Sequence, residues 1–500
     1  MSSGSSRRPT LTAPHHRDMI KKLTDIQIST TLAVALYTCL RLFSFVSYEH
    51  TTGQTIIGVF LIGCFLVLCT KKLPLAWVVL VGELLLDGSG HFFEIQGLIL
   101  RTWFLGIFGI VWFVRAITYK TFFTSIPRNV QKGMIVMGIV LMWSIINGFL
   151  NQHSTMNILQ DGMLYVFFLL LFPASEFRQT LRDYSPALIK GYLIGTAFFS
   201  LITFSIYASG IGTLPDIFYH WFRNVASGKI TDLGNNFFRV VLPEHLLLIP
   251  IILIVTAFLI QKPKEKTLWV LLLSGLFVLT LNFSRIYIIA LFAGILILGI
   301  KETFSRWAKI AFAIPLIFVS IFFSLHLLAS HGQSLGLELL GFKVNGVTTM
   351  RDDPSGAIRL AILPVAIDTI KQHPWLGNGL GTTITYVDPT MNVSTTRTQF
   401  DFGYLEMLAE LGIVGTIIFL FFLGSILFPV ARYAWGSQKK IYHNQTLMRG
   451  ILAGSCALFV INLTTPALFQ GFGILFFIFA IVMTIPENDE TVRRSTLADS

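Results

Sequence analysis

Apolar runs of about twenty residues recur along the whole chain, and each is long enough to cross a ~30 Å hydrocarbon core as a helix. Inside lipid the backbone must satisfy its own polar groups, which leaves helices or a closed barrel. The runs are continuous rather than alternating, which excludes a barrel. Only 13% of the 500 residues are charged, against roughly 25% in a soluble chain, and the mean hydropathy is +0.70. The expected fold class is an all-α polytopic membrane protein.

Fourteen spans are read, at about 27–47, 53–70, 73–88, 97–118, 133–150, 157–174, 186–209, 238–260, 267–283, 286–300, 308–329, 405–431, 447–464 and 466–484. The third and tenth are short and the last two meet at Thr465 and Pro466, so twelve or thirteen stay open. The expected organisation is a cytoplasmic tail 1–26, a bundle 27–329 with an outer loop 210–237, a large outer loop 330–404, spans within 405–484, and a cytoplasmic tail 485–500. The distribution of Lys and Arg sets this orientation: 25 of the 37 fall on or beside the segments assigned to the cytoplasm. The short outer loops 48–52, 89–96 and 151–156 hold none.

The net charge of +11 is therefore largely topological and does not call for a nucleic-acid partner. All four cysteines lie in apolar runs, so neither a disulfide framework nor a cysteine-type zinc site is indicated. The basic first 26 residues lack a short apolar region with a cleavage site, and the first span is expected to be kept as an anchor. No internal repeat and no low-complexity tract is visible.

The long polar stretch 355–415 does not fit the pattern of spans, and long ordered loops are uncommon without a function. Under the expected orientation Arg239, Arg285 and Arg359 reach the same outer side. Each has a plain reading, snorkelling to headgroups, and a sharper one, a phosphate clamp suited to the planar guanidinium. The glycines of HPWLGNGLGTT lack the strand and the Lys-Ser/Thr of a nucleotide loop, so a tight turn is the better local reading. His373, before Pro374, reads as a helix-terminal charge. Asp401 reads either as the N-cap of the twelfth span or as a general base at the membrane surface. Glu406 and Glu410, four residues apart, are costly in a membrane and should face its protein interior. Glu83, Arg101, Arg41 and Asp161 read as ion pairs within the bundle. No motif with metal-ligand spacing is present, and no cofactor is expected.

Three pieces of this stretch and its flank resemble the O-antigen ligase and polymerase family, the WaaL and Wzy type of polytopic glycosyltransferase. Ser284-Arg285 stands at a span start. An Arg-led helix from Arg359 runs into His373-Pro374 and Gly377, Gly379 and Gly381. A tail follows with Tyr404-Leu405-Glu406, Glu410, Gly412 and Gly415. The strict pattern covers about 130 residues, 284 to 415. Where the ligases carry a loop motif H-N-x-y-L, this chain has Asp401 and Phe402.

The resemblance implies a GT-C-like bundle in a bacterial cytoplasmic (inner) membrane, with the active site on its periplasmic or extracellular face. It implies transfer or polymerisation of a glycan from a polyprenyl-diphosphate carrier, by a metal-independent, inverting displacement. Arg239 and Arg285 take the diphosphate clamp positions. Asp401 takes the base position, with His373 and Glu406 as substitutes. Arg359, Arg397, His373, Tyr404, Glu406, Glu410, Gly377 and Gly379 are the expected substrate-binding residues. The expected partners are the lipid-linked oligosaccharide, a glycan or lipid acceptor, membrane lipids, and chain-length regulator or flippase proteins. A ligase acting on a lipid A-core-type acceptor is the alternative within the class. A lipid-linked glycan flippase is the rival from another class, and a membrane scaffold is a third reading.

Overall fold

The computed structural model describes residues 28–86, 91–95, 97–119, 126–209, 214–345, 354–436 and 445–485. The expected tail 1–26 and, apart from Ile485, the expected tail 485–500 lie outside the described residues, as do parts of both large loops, 210–213 and 346–353.

Each of the fourteen apolar runs contains a helix. The first seven runs form α1 (Ile28–Val46), α2 (Thr51–Lys71), α3 (Leu73–Leu86), α4 (Leu100–Tyr119), α5 (Arg128–Leu150), α6 (Thr155–Val166), which continues through a 3-10 turn into α7 (Leu171–Glu176), and α8 (Arg178–Ser209). A two-residue ladder, β1 (Glu94–Ile95) with β2 (Leu98–Ile99), precedes α4. The first large loop folds as α9 (Leu214–Asn224) and an antiparallel hairpin, β3 (Lys229–Asp232) with β4 (Phe238–Val241). Then come α10 (Leu248–Gln261), α11 (Lys266–Asn282), α12 (Arg285–Gly299) and α13 (Phe304–Ala329). The second large loop holds α14 (Leu337–Asn345), α15 (Pro354–Gln372) and a second hairpin, β5 (Ile384–Asp388) with β6 (Val393–Arg397). The chain finishes with α16 (Gly403–Trp435), α17 (Gln445–Ile461) and α18 (Gly471–Thr484). Eight of the described helical segments are long and apolar enough to cross a membrane, as a polytopic membrane protein requires, and six more apolar helices are shorter.

The centre of the bundle is α10 with its lead-in from Pro243, 94% buried over its apolar window, against 17% for α2. α10 packs on α17, α11 and α12. The outer face of α2 leaves Ile56, Val59 and Phe60 exposed, which suits a lipid-facing helix. Two expected ion pairs form inside. Arg41 Nη2 lies 2.7 Å from Glu244 Oε1, both fully buried, with Tyr37 donating to the same carboxylate at 3.1 Å. Arg101 pairs with Glu83 at 3.2 Å. Asp161 departs from the expectation: its Oδ2 accepts the Gly381 N–H at 2.9 Å.

Above the main core sits a second, smaller one built from Ile362 and Ala366 of α15, Ile384 and Tyr386 of β5, Phe400 and Ala409. It fastens the large loop to the start of α16. The glycine turn completes the attachment. Gly412 breaks α16 at φ 68°, a conformation glycine adopts without a Cβ clash. The carbonyls freed there are taken up by the turn. Asn378 N–H donates to Ala409 O at 2.7 Å and Gly379 N–H to Glu410 O at 3.1 Å, while Ile413 N–H reaches Pro374 O at 2.9 Å. The turn is a structural wedge between α5, α6 and α16.

Candidate active site

Arg239 was expected to open the eighth span, but it lies on β4, and the helical lead-in starts only at Pro243. The reason is local. Leu242 precedes a proline, which disfavours helical geometry, and it is extended at φ −119°, ψ 152°. The hairpin register sets Arg239 opposite Thr231 and Lys229 opposite Val241. From β4 the Arg239 Nε–H donates to the carbonyl of Asn282 at 2.7 Å.

Asn282 is the last residue of α11. Phe283 ends that helix in the left-handed region (φ 46°), Ser284 is the N-cap residue, and Arg285 opens α12. The turn is anchored by Phe283, which is buried and stacked on Phe322 with ring centroids 5.1 Å apart. The side chain of Asn282 lies 3.0 Å from Nδ1 of the buried His245. One backbone turn therefore carries Arg285 and receives Arg239.

The same hairpin interacts electrostatically with the second large loop. Lys229 is within electrostatic reach of Arg223, Arg239, Arg397 and Asp401. Desolvation by the surrounding protein and then the Arg223 guanidinium push its ammonium below the usual lysine range, against the opposing pull of Asp401, although the side chain is exposed. Asp401 Oδ2 lies 3.7 Å from Arg397 Nη1, and both side chains are about two-fifths exposed (42% and 38%). The N-cap reading of Asp401 is corrected: Phe402 occupies that position without a side-chain cap bond, and Asp401 sits one residue earlier in the left-handed region at φ 56°. The incoming backbone is held instead by Glu406, whose Oε2 accepts the Phe400 N–H at 2.9 Å.

The other expected residues fall in the frame around this cluster. Arg359 Nη2 reaches Thr464 O at 3.4 Å, which ties α15 to the turn after α17. Exposed His373 follows the last residue of α15. Tyr404 donates to Phe459 O at 2.9 Å. Glu406 and Glu410 are 4% and 1% exposed and interact with Asp161 below the loop. Gly377 and Gly379 face protein backbone: a Cβ on Gly377 would come within 2.3 Å of Glu410 O. The structure thus places Arg239, Arg397 and Asp401 within electrostatic reach of Lys229, with Arg285 joined to Arg239 through the α11–α12 turn. Lys229 and Arg223 escaped the reading of the sequence. Their signal was position, two cations in a loop assigned to the outer side, where Lys and Arg are depleted.

Chemically, the cluster offers several permanent or near-permanent cations beside one accessible carboxylate. That arrangement suits an anionic leaving group next to a hydroxyl nucleophile. Among the described residues no group of three or more His, Cys, Asp or Glu is placed to hold a metal ion. No curated protein matches this chain. Residues 268–420, from α11 into α16, match the family model described as O-antigen ligase. That segment contains all three motifs of the resemblance, and the match supports the assignment to the O-antigen ligase and polymerase family, with an O-antigen ligase/polymerase-type function at a membrane.

Proposed function

We propose that this chain is a glycosyltransferase that moves or polymerises a glycan from a polyprenyl-diphosphate carrier on the outer face of the cytoplasmic membrane. The observation that carries the reading is the electrostatic coupling of the two large loops: Lys229 of one, beside Arg239, interacts with Arg397 and Asp401 of the other, which pair at 3.7 Å. In this reading all fourteen apolar helices span the membrane in a GT-C-like bundle, both termini are cytoplasmic, and residues 210–237 and 330–404 form the outer domain.

Arg239 and Arg285 hold the diphosphate, and Lys229 adds charge. Asp401 accepts the proton of the acceptor hydroxyl as its oxygen attacks the anomeric carbon. The bond from that carbon to the phosphate oxygen breaks, and its electron pair leaves with the diphosphate. Displacement from the opposite face inverts the anomeric centre. The arginine forks supply the electrostatic stabilisation without a metal ion.

A polymerase-type acceptor, a second lipid-linked repeat, is preferred to a ligase acceptor because a carboxylate stands where the ligases carry histidine. Purified protein given a synthetic polyprenyl-diphosphate oligosaccharide should release polyprenyl diphosphate. Transport of the intact lipid without release would identify a flippase and end the proposal. In a deletion strain, one repeat attached to its final acceptor marks a polymerase, whereas free lipid-linked polymer marks a ligase.

A further inference from the structure

Beside the Arg397–Asp401 pair lies an open groove of about 380 Å³. Its walls are Asn157 and Gln160 of α6, Thr383 just before β5, Thr396 and Arg397 of β6, and Thr398 and Gln399 beyond it. Asn157 and Gln160 are three residues apart on a helix and so share a face. The glycine turn sets the opposite wall in place: Gly381 N–H is bonded to Asp161 of α6, and the Gly381 α-carbon is packed so tightly that a Cβ there would come within 2.8 Å of Ile158 N.

Every lining residue is polar. Arg397 is the one ionisable group among them, and Asp401 lies 3.7 Å from it. Thr396 spends its hydroxyl on Thr385 at 2.9 Å. Among the described residues, Asn157, Gln160, Thr383, Thr398 and Gln399 have no side-chain hydrogen bond, so three amides and two hydroxyls are available to a ligand. Amides and hydroxyls both donate and accept. A diphosphate needs several cations, and a lipid chain needs an apolar wall. A neutral, hydroxyl-rich ligand matches this inventory, and the volume falls within the range of about 300–1,000 Å³ for small-molecule sites.

We infer that this groove is the acceptor subsite and holds the acceptor glycan through uncharged sugars. The assignment rests on the glycosyl-transfer reading above. It follows from where the groove opens: Arg397 lines it and lies 3.7 Å from Asp401, the proposed base. A glycan lying along β6 presents its terminal hydroxyl to Asp401.

The test uses the full chain in nanodiscs, carrying Asn157→Ala, Gln160→Ala and Gln399→Ala together, with Gln399→Ala alone as the milder variant. The first measurement is binding of the delipidated repeat-unit oligosaccharide, released by mild acid from the host's lipid-linked precursor, followed by saturation-transfer NMR. The second is transfer with donor and acceptor varied separately. Loss of up to three hydrogen bonds should raise the acceptor KM about tenfold or more, with donor KM and kcat within about twofold, and should remove the NMR signal. A rise confined to the donor KM, or no change in either KM, overturns the proposal. Wild-type protein that binds the oligosaccharide but never transfers it overturns the acceptor role and the transferase reading. Wild-type protein that transfers with unchanged KM values in the variants overturns the groove alone.

Discussion

Arg239 donates its Nε–H to the carbonyl oxygen of Asn282 across 2.7 Å, three residues before Arg285 opens α12. The Arg239 side chain on a strand from one loop is thereby tied to the backbone of the turn that leads into α12. In the proposed reading this anchoring preorganises the diphosphate clamp, because Arg239 is held in place before charge develops.

Arg285→Lys retains the charge and loses the fork, so transfer should fall sharply even though the change is nominally conservative. Arg285→Ala should fall by roughly 10²–10³-fold, the usual cost of removing one donor from such a site. Polyprenyl-diphosphate release by purified protein, with glycan length in cells at matched protein level, measures both. Near-normal glycan length in the alanine strain would remove Arg285 from the clamp.

Asp401 separates two expectations cleanly. Because Phe402 and not Asp401 holds the N-cap position, Asp401→Asn should leave the melting temperature in detergent unchanged. As a lost base it should lower kcat by about 10²–10⁴-fold. Full activity of Asp401→Asn rejects the base. A drop in melting temperature without loss of rate would return the residue to a structural role.

Gly379 has φ 92°, and a Cβ there would sit 2.1 Å from Gly148 N, in the backbone of α5. Gly379→Ala therefore meets both backbone strain, about 1–3 kcal/mol, and a contact with main chain that has no rotamer to yield. The expected result is a lower melting temperature and poor recovery of folded protein. The same substitution at Gly424 of α16 meets nothing within 4 Å and should be tolerated. Equal stability of the two variants would contradict the wedge.

What could be read in advance follows from the range over which each interaction acts. Hydrophobic runs act locally, so all fourteen helices were visible in the sequence, and Ser284-Arg285 fell at a helix start as expected. Arg239 was misplaced onto a helix because Phe238, Val240, Val241 and Leu242 extend the apolar run of the span they precede. The cap of α16 was misassigned because Asp401 has the right chemistry one residue too early, while Glu406 reaches back to Phe400 from inside the helix. The interaction of Lys229 with Arg397 and Asp401 joins loops some 170 residues apart, and no local pattern carries it. The glycines were legible as a turn, but the turn's partner, the break at Gly412, was not.

Glu244 offers a test of the bundle apart from the chemistry. Its carboxylate takes bonds from Arg41 and Tyr37 with no exposure to solvent. Glu244→Ala leaves the Arg41 charge buried without its carboxylate and should destabilise the protein by about 3–5 kcal/mol. Arg41→Met with Glu244→Met removes both charges and should recover much of that loss, as read from melting in detergent. If the single and double variants melt alike, the pair contributes through packing alone.

The last prediction concerns pH and turns on Lys229, which lies outside the membrane-spanning segments. Desolvation and neighbouring guanidinium groups lower its pKa, so it loses its proton at a lower pH than an ordinary lysine. For a lysine whose folded pKa lies below the unfolded one, the unfolded chain binds more protons between the two values, and stability without donor should rise with pH across that window. Donor binding should move the other way, because the ammonium that attracts the diphosphate is discharged over the same window. Lys229→Arg keeps its charge and should flatten the alkaline fall in donor affinity. Lys229→Met should be flat as well, but weak at every pH. Affinity for the lipid-linked donor, measured from neutral to alkaline pH in all three proteins, decides the matter: parallel profiles would place Lys229 outside the clamp.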